Sequence, residues 1–459
     1  MRVRGAIAIV VLVAALVAGC GGGSTATGAA KRAVGGIEDE EGGIFEVGGP
    51  GPPPADGTAP LHGARLKKAE ALHVWEGEMV RGDEGWVRSS IGLFWTADGG
   101  RTWRPLTSPV PGGRAFGSVY FASPRRGWAL HENGREGDAH PSIYMTSDGG
   151  RTWHHTRLRG YDKLVMPAAE ASFSLVDGHE LFALVRASGD TASSFGTLFV
   201  SHDAGRHWRV LPTPPHAGRI SFETPRRGWL VGRSPGRGLW RTVDGGRTWA
   251  LVEPGKPLVP WPPEEVSRGP HESPPAESVG TEFRWVDYTT PLIGPAGHGI
   301  LGMVESSGEG IEQRGPTRTL VWRTDDYGRS WHHRDRIDLP IKTGFLEAEQ
   351  LFTRLGRGRS LLVHDPSDSV SAVVGPDGRP GPLRPTHGLL PYSEGLTFSD
   401  ARHGFAFPIF SNGFSLSYTE DGGRKWSQVP VPRPPPCRST ERCDRPLPTQ
   451  RKDHQHQDH

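Results

Sequence analysis

The chain has 459 residues, 35% of them hydrophobic, with 64 glycines and 42 prolines, so it is long enough to bury a large core yet dense in turn-formers. Its formal net charge is only +2, which excludes the global basic field of a nucleic-acid binder. Its basic residues are nearly all arginine, with eight lysines in the whole chain.

The chain opens with Arg2 and Arg4, an apolar run from Ala6 to Ala18, and Leu16-Val17-Ala18-Gly19-Cys20. The run is too short to prefer a spanning helix. These residues resemble a bacterial lipoprotein signal, 1–19, ending in a lipobox. The resemblance implies cleavage before Cys20, diacylation of its thiol, and a protein anchored on the outer face of the cell membrane without crossing it. Residues 20–62, rich in Gly, Ala and Pro, read as a disordered tether. Within it, Gly43 to Val47 is a candidate strand for closing a ring.

From about residue 63 to 432 one phrase recurs. It reads Thr96-Ala97-Asp98-Gly99-Gly100-Arg101-Thr102-Trp103, and its shared form is Ser/Thr-x-Asp-x-Gly-x-x-Trp. The other copies centre on Asp148 and Trp153, Asp203 and Trp208, Asp244 and Trp249, Asp326 and Trp331, and Asp421 and Trp426. Strand-like residues flank each copy, as in Leu93-Phe94-Trp95 before the first, so each predicts a hairpin turn. The aspartate accepts backbone N–H bonds, the glycine takes a positive φ, and the Trp starts the next strand. A phrase repeated at this period declares a repeat architecture.

The aspartates are 50, 55, 41, 82 and 95 positions apart. Gaps of 41 to 55 each fit one four-stranded unit. The gap of 82 holds a Pro-rich stretch, Glu253 to Pro275, read as an inserted loop, and then one unit. The gap of 95 hides a unit without the phrase, about 345–385. Its expected strands are Gln350-Leu351-Phe352, Ser360 to Val363 and Ser371 to Val374, followed by the turn Gly375 to Pro380. The prediction is an all-β fold: a seven-bladed propeller of four-stranded antiparallel blades. Gly followed by an aromatic, at Gly85-Trp86, Gly127-Trp128, Gly228-Trp229 and Gly404-Phe405, supports the count and marks the passage from first to second strand. The arginine pairs Arg125-Arg126 and Arg226-Arg227 beside two of these are read as solvated turn residues.

The repeated phrase resembles the Asp-box, or bacterial neuraminidase repeat, of β-propellers. The resemblance implies that it lies between third and fourth strands, on the face opposite the usual ligand site, and that its aspartates are structural. Such boxes occur in sialidases, whose chemistry needs an Arg triad for the substrate carboxylate, an acid/base Asp, and a Tyr nucleophile paired with Glu. Here the early Arg-Ile-Pro phrase is absent, tyrosines number seven, and a seventh blade departs from the sialidase ring. Gly-Trp followed by the box is more similar to the photosystem II assembly and stability factor family, over most of residues 68–430. That resemblance implies a non-catalytic scaffold holding a protein partner. A glycan-binding protein or exo-sialidase-like hydrolase is the alternative.

Candidate binding residues are Arg114, Arg219 and Arg284, which begin first strands and predict an Arg-lined channel mouth for an acidic segment or a glycan carboxylate. The same residues can also be read as ordinary solvated arginines. His154-His155 and His332-His333 point to opposite faces of their strands and make poor joint metal ligands. No Gly-rich phosphate loop opens a helix and no Cys-x-x-Cys occurs, so neither cofactor nor metal is expected. Residues 433–459 read as a disordered Pro/His-rich tail, where Cys437 and Cys443 form a disulfide or, with the histidines, hold a metal. A monomer is expected.

Overall fold

The computed structural model describes residues 74–432, apart from 90–91, 108–115, 132–140, 162–167, 188–195, 233–237, 257–258, 262–282, 309–313, 340–346, 366–369, 390–392, 394 and 408–415. The expected signal, tether, closing strand and tail, with Cys20, Cys437 and Cys443, lie outside the described residues.

Seven antiparallel sheets follow one another along the chain, each a meander, with one short strand of blade five, Leu292–Ile293, lying off its path. The first strands are Val74–Arg81, Ser118–Phe121, Ala168–Val176, Gly218–Phe222, Phe283–Tyr288, Phe352–Arg354 and Gly395–Phe398. The last blade ends at Ser427–Val429. The fold is the predicted seven-bladed propeller. Two local expectations are corrected. The Pro-rich stretch contains a strand, Val259–Trp261, that pairs with Trp249–Val252 and gives blade four a fifth strand. Gln350 and Leu351 are helical, because the helix Ala348–Leu351 precedes blade six's first strand.

The core is not one mass but seven clusters, each shared by two neighbouring blades. The repeated Trp and the Gly-aromatic pair divide this work. Trp153, Trp208, Trp249, Trp331 and Trp426 each lie in the cluster shared with the preceding blade. Trp86, Trp128 and Trp229 lie in the cluster shared with the following one. The second glycine of the repeat sits where these meet. A Cβ on Gly328 would stand 2.4 Å from Trp229, and one on Gly205 would stand 2.7 Å from Trp128. Only glycine lets the turn approach so closely.

Blade seven meets blade one through the same kind of interface. Val74, Met79, Val87 and Phe94 pack on Phe405, Phe407, Leu416 and Tyr418. Trp103 Nε1 donates to Pro430 O at 2.7 Å, and Ser399 Oγ to Gly82 O at 2.8 Å. Among the described residues, no strand from one end of the propeller enters the sheet at the other.

Inner strands are tied to their neighbours by hydroxyls. Ser118 Oγ accepts from Ala171 N at 2.9 Å, Ser172 Oγ from Ile220 N at 3.0 Å, and Ser174 Oγ from Phe222 N at 2.8 Å. These bonds hold the strands that surround the axis at fixed spacing, so side chains pointing inward are pre-positioned.

Candidate functional site

The repeated aspartates are consumed by their own turns. Asp98 Oδ1 accepts from the Thr96 hydroxyl and from Thr102 N, both at 2.8 Å, and Oδ2 from the Thr102 hydroxyl at 2.6 Å. Gly100 N donates to Thr96 Oγ1 at 2.9 Å, and the same bond recurs in all six copies. The residue after each aspartate donates its amide to the first turn of its blade: Gly99 to Asp83 O, Ala204 to His179 O, Tyr327 to Gly297 O. That position has positive φ even where it is not glycine, 62° at Ala204 and 61° at Tyr327. In blade three His207 replaces the hydroxyl residue, and its Nδ1 stands 2.5 Å from Asp203 Oδ2. Burial works to raise the Asp203 and Asp326 carboxyls, but hydrogen bonds to the turns outweigh it and hold both at about 2. In five copies both carboxylate oxygens are taken up by the turn, and in the sixth Asp421 Oδ1 accepts from Thr419, Arg424 N and Lys425 N, so the aspartates act as clasps.

The free chemistry lies around the axis, mainly at the end away from these turns, where first strands begin and second strands end. Glu76 and Arg88 are cross-strand partners in blade one, with Arg88 Nε 3.1 Å from Glu76 Oε2. Glu170 and Arg186 repeat the arrangement in blade three, with Arg186 Nε 2.9 Å from Glu170 Oε2. Arg219 of blade four closes on Glu349 and stands 3.7 Å from Glu347. Its guanidinium also donates to Tyr288 O at 3.4 Å. Asp287 of blade five accepts from Ala348 N at 2.7 Å, fixing the start of the helix that carries Glu349. Five blades therefore bring alternating charges to one end of the axis.

Their electrostatics are coupled. Burial raises the Glu76 carboxyl, Arg88 works against that, and the charge on Glu170 adds to it. Burial followed by the neighbouring Glu76 charge pushes Glu78 up to about 7. Burial followed by Glu78 pushes the Tyr120 phenol up to about 12. Tyr120 stacks on Trp128 and Phe173 at centroid distances of 5.9 and 6.2 Å. A nucleophilic phenol needs a lowered pKa, the opposite of what this packing produces.

Toward the repeated-turn end, blade six reaches across the axis. Arg357 donates across it to Ala122 O of blade two, and Arg359 donates to His298 O of the neighbouring blade five at 3.2 Å. A cavity of about 690 Å³ opens there between Arg81, Ser123, Arg357, Ser360 and Asp400.

Of the three arginines singled out from sequence, only Arg219 has a described side chain, and it is ion-paired within the protein. Arg284 is the second residue of blade five's first strand, with only its backbone described, and Arg114 lies outside the described residues. Sequence reasoning missed the acids. The signal was Trp75-Glu76-Gly77-Glu78, two carboxylates at i and i+2 on one face of an inner strand. Among the described residues no group of three or more His, Cys, Asp or Glu could hold a metal ion, and no helix is long and apolar enough to cross a membrane.

These features define a seven-bladed β-propeller with a charged axial site. No family model matches the chain, and no curated protein does. Among solved structures it is similar to YCF48 bound to a D1 peptide, at 16% identity over 80% of this chain and 86% of that one, with a TM-score of 0.33. It is also similar to the GH74 xyloglucanase from Xanthomonas campestris, at 14% identity over 75% of this chain and 53% of that one, TM-score 0.26. A prolyl endopeptidase gives 13% identity over 79% of this chain and 48% of that one, TM-score 0.45. Neighbours thus include both a peptide-bound propeller and hydrolases, and identities this low do not decide between their activities.

Proposed function

We propose that the chain is a non-catalytic protein-binding or assembly propeller, held at the outer face of a cell membrane by a lipid on Cys20. Its partner segment docks at the axial end opposite the repeated turns. One observation carries this reading: charged groups of five blades, those of four of them in ion pairs, converge on that end, on strands locked to one another by side-chain-to-backbone bonds. Alternating charge on a rigid ring suits a polypeptide carrying both signs better than a single anion. Arg114 and Arg284, read from sequence as first-strand arginines, are taken as further candidate contacts.

Capture with mild crosslinking from native membranes tests it, comparing wild type with Arg114→Ala/Arg284→Ala and with Glu76→Gln/Glu170→Gln. One membrane or secreted protein, retained by wild type and lost from both variants, is the expected result. Identical captures from all three would remove the site.

A second reading rests on Glu78, a carboxyl held near 7 beside Glu76 in the channel, where a glycan could meet a proton donor. Hydrolysis of aryl glycosides that Glu78→Gln abolishes would favour it and displace the scaffold reading.

A further inference from the structure

The face carrying the repeated turns has a sector crowded with guanidinium groups. Arg151, Arg206 and Arg247 hold the same position in the repeated turns of blades two, three and four, and all are exposed. Arg125 and Arg226, at the first turns of blades two and four, are exposed too. Arg151 and Arg247 spend one nitrogen each on the backbone carbonyls of Asp148 and Asp244, at 2.9 and 2.6 Å. Among the described residues none of the five is ion-paired with a carboxylate.

Most acids of this sector are engaged within the fold. Asp148, Asp203 and Asp244 are taken up by turn donors. Glu180 is buried with His202 Nδ1 2.7 Å away, and Glu223 accepts from Trp229 Nε1 at 2.6 Å. Asp177 is the exposed exception. Between blades two and three the sector holds a depression of about 540 Å³, with Arg126, Arg206, Ser147, His154 and His179 on its walls; Asp203 also lines it, its carboxylate held by Ser201, His207 and the backbone of Arg206. The sector is therefore positive where it meets solvent, while carboxylates gather at the far end of the axis.

We propose that this sector docks on the anionic headgroups of a phospholipid bilayer, with the depression between blades two and three as the seat of one phosphodiester. Guanidinium forks match phosphate oxygens bidentately. Fixed arginines spread over three blades suit mobile lipids that rearrange beneath them. Docking this way leaves the axial site facing away from the membrane. The 54 residue steps from Cys20 to Val74 allow either face to reach a bilayer, with a contour of roughly 180 Å at about 3.3–3.6 Å per residue. The inference does not depend on the lipid.

The test uses the full chain carrying Cys20→Ser, so that no acyl group contributes. It is sedimented with phosphatidylcholine vesicles, with and without phosphatidylglycerol, at low and physiological salt. The chain should partition onto the anionic vesicles and weaken with salt. Arg151→Gln/Arg206→Gln/Arg247→Gln should lower the partition coefficient about tenfold or more, each arginine near an anionic surface being worth about 1 kcal/mol. Arg318→Gln/Arg336→Gln/Arg384→Gln, the same charge change away from the sector, should stay within about twofold of wild type. Matching thermal unfolding of both triples verifies their folds. Equal loss in the two triples, equal binding to neutral vesicles, or no vesicle binding would overturn the proposal. So would retention on an acidic polysaccharide without vesicle binding.

Discussion

Blade six and the six blades that carry the repeated turn solve one packing problem in two ways. In the carrying blades, an aspartate clasp fixes a turn whose Trp enters the cluster shared with the preceding blade. Blade six has Gly375 to Pro380 instead, where Asp377 Oδ1 accepts only from Arg379 N at 3.1 Å. Its cluster with blade five contains no Trp. That cluster includes Ala348 and Leu351, both wholly buried, from the helix that Asp287 fixes at the other end of the blade. A propeller interface needs volume and an anchor, and neither residue type nor position along the strand is dictated.

The comparison can be broken most strongly at the wedge. Trp331→Ala should cost about 3–5 kcal/mol in urea unfolding, the range for emptying a buried Trp site. A cost below about 1 kcal/mol would mean that the clasp, not the wedge, holds blade five to blade four.

The clasp itself should matter less. Asp244→Asn leaves turn donors without a charged acceptor and should cost about 1–2 kcal/mol, whereas Asp377→Asn in blade six should stay within about 0.5 kcal/mol. The Asp244 carboxyl is lowered from 3.8 by bonds from Thr248, Thr242 and Arg247 that overcome burial. Its contribution is therefore present above pH 3.8 and lost as pH falls through the lower folded value. Wild type and Asp244→Asn should converge in acid and separate on the way to neutrality.

The smallest effect contrasts the axis with blade six's interior. Glu78, raised from 4.5 to about 7, contributes stability below pH 4.5 that is lost as pH rises through 7. Buried His364, lowered from 6.5 to about 4, contributes stability above 6.5 that is lost as pH falls toward 4. The two oppose each other across the same window. Glu78→Gln should remove the alkaline loss, on the order of 1 kcal/mol after solvent screening in the channel, and leave the acid limb to His364. An unchanged alkaline limb would mean that Glu78 is ionised throughout.

The blades were legible through their punctuation: a Gly-aromatic pair in four of them, and in six a turn with Asp and Gly followed by a Trp at fixed spacing. The helix at Ala348–Leu351 was not, because local pattern favours a strand at Leu351-Phe352. Its cap comes from Glu347 with Gln350, and its anchor, Asp287, lies 61 positions away. The strand at Val259–Trp261 hid behind Pro260, which an edge position tolerates. At the site, Arg219 was visible as a charge but Glu347 and Glu349 as its partners were not, since ion pairs between distant blades leave no periodic trace. The two glutamates of blade one are legible as an i, i+2 pair on an inner strand.

The seam between blades seven and one has a consequence for biosynthesis. Its bonds join residues more than 300 positions apart, Met79 N to Thr397 Oγ1 and Trp103 to Pro430. An emerging chain therefore carries the raw apolar flank of blade one until the last blade leaves the ribosome or the translocation channel, and such long-range closure is slow. A product cut short before residue 430 exposes two unmatched flanks at once. It would be surrendered to proteases and chaperones, so the ring acts as its own check that synthesis was completed.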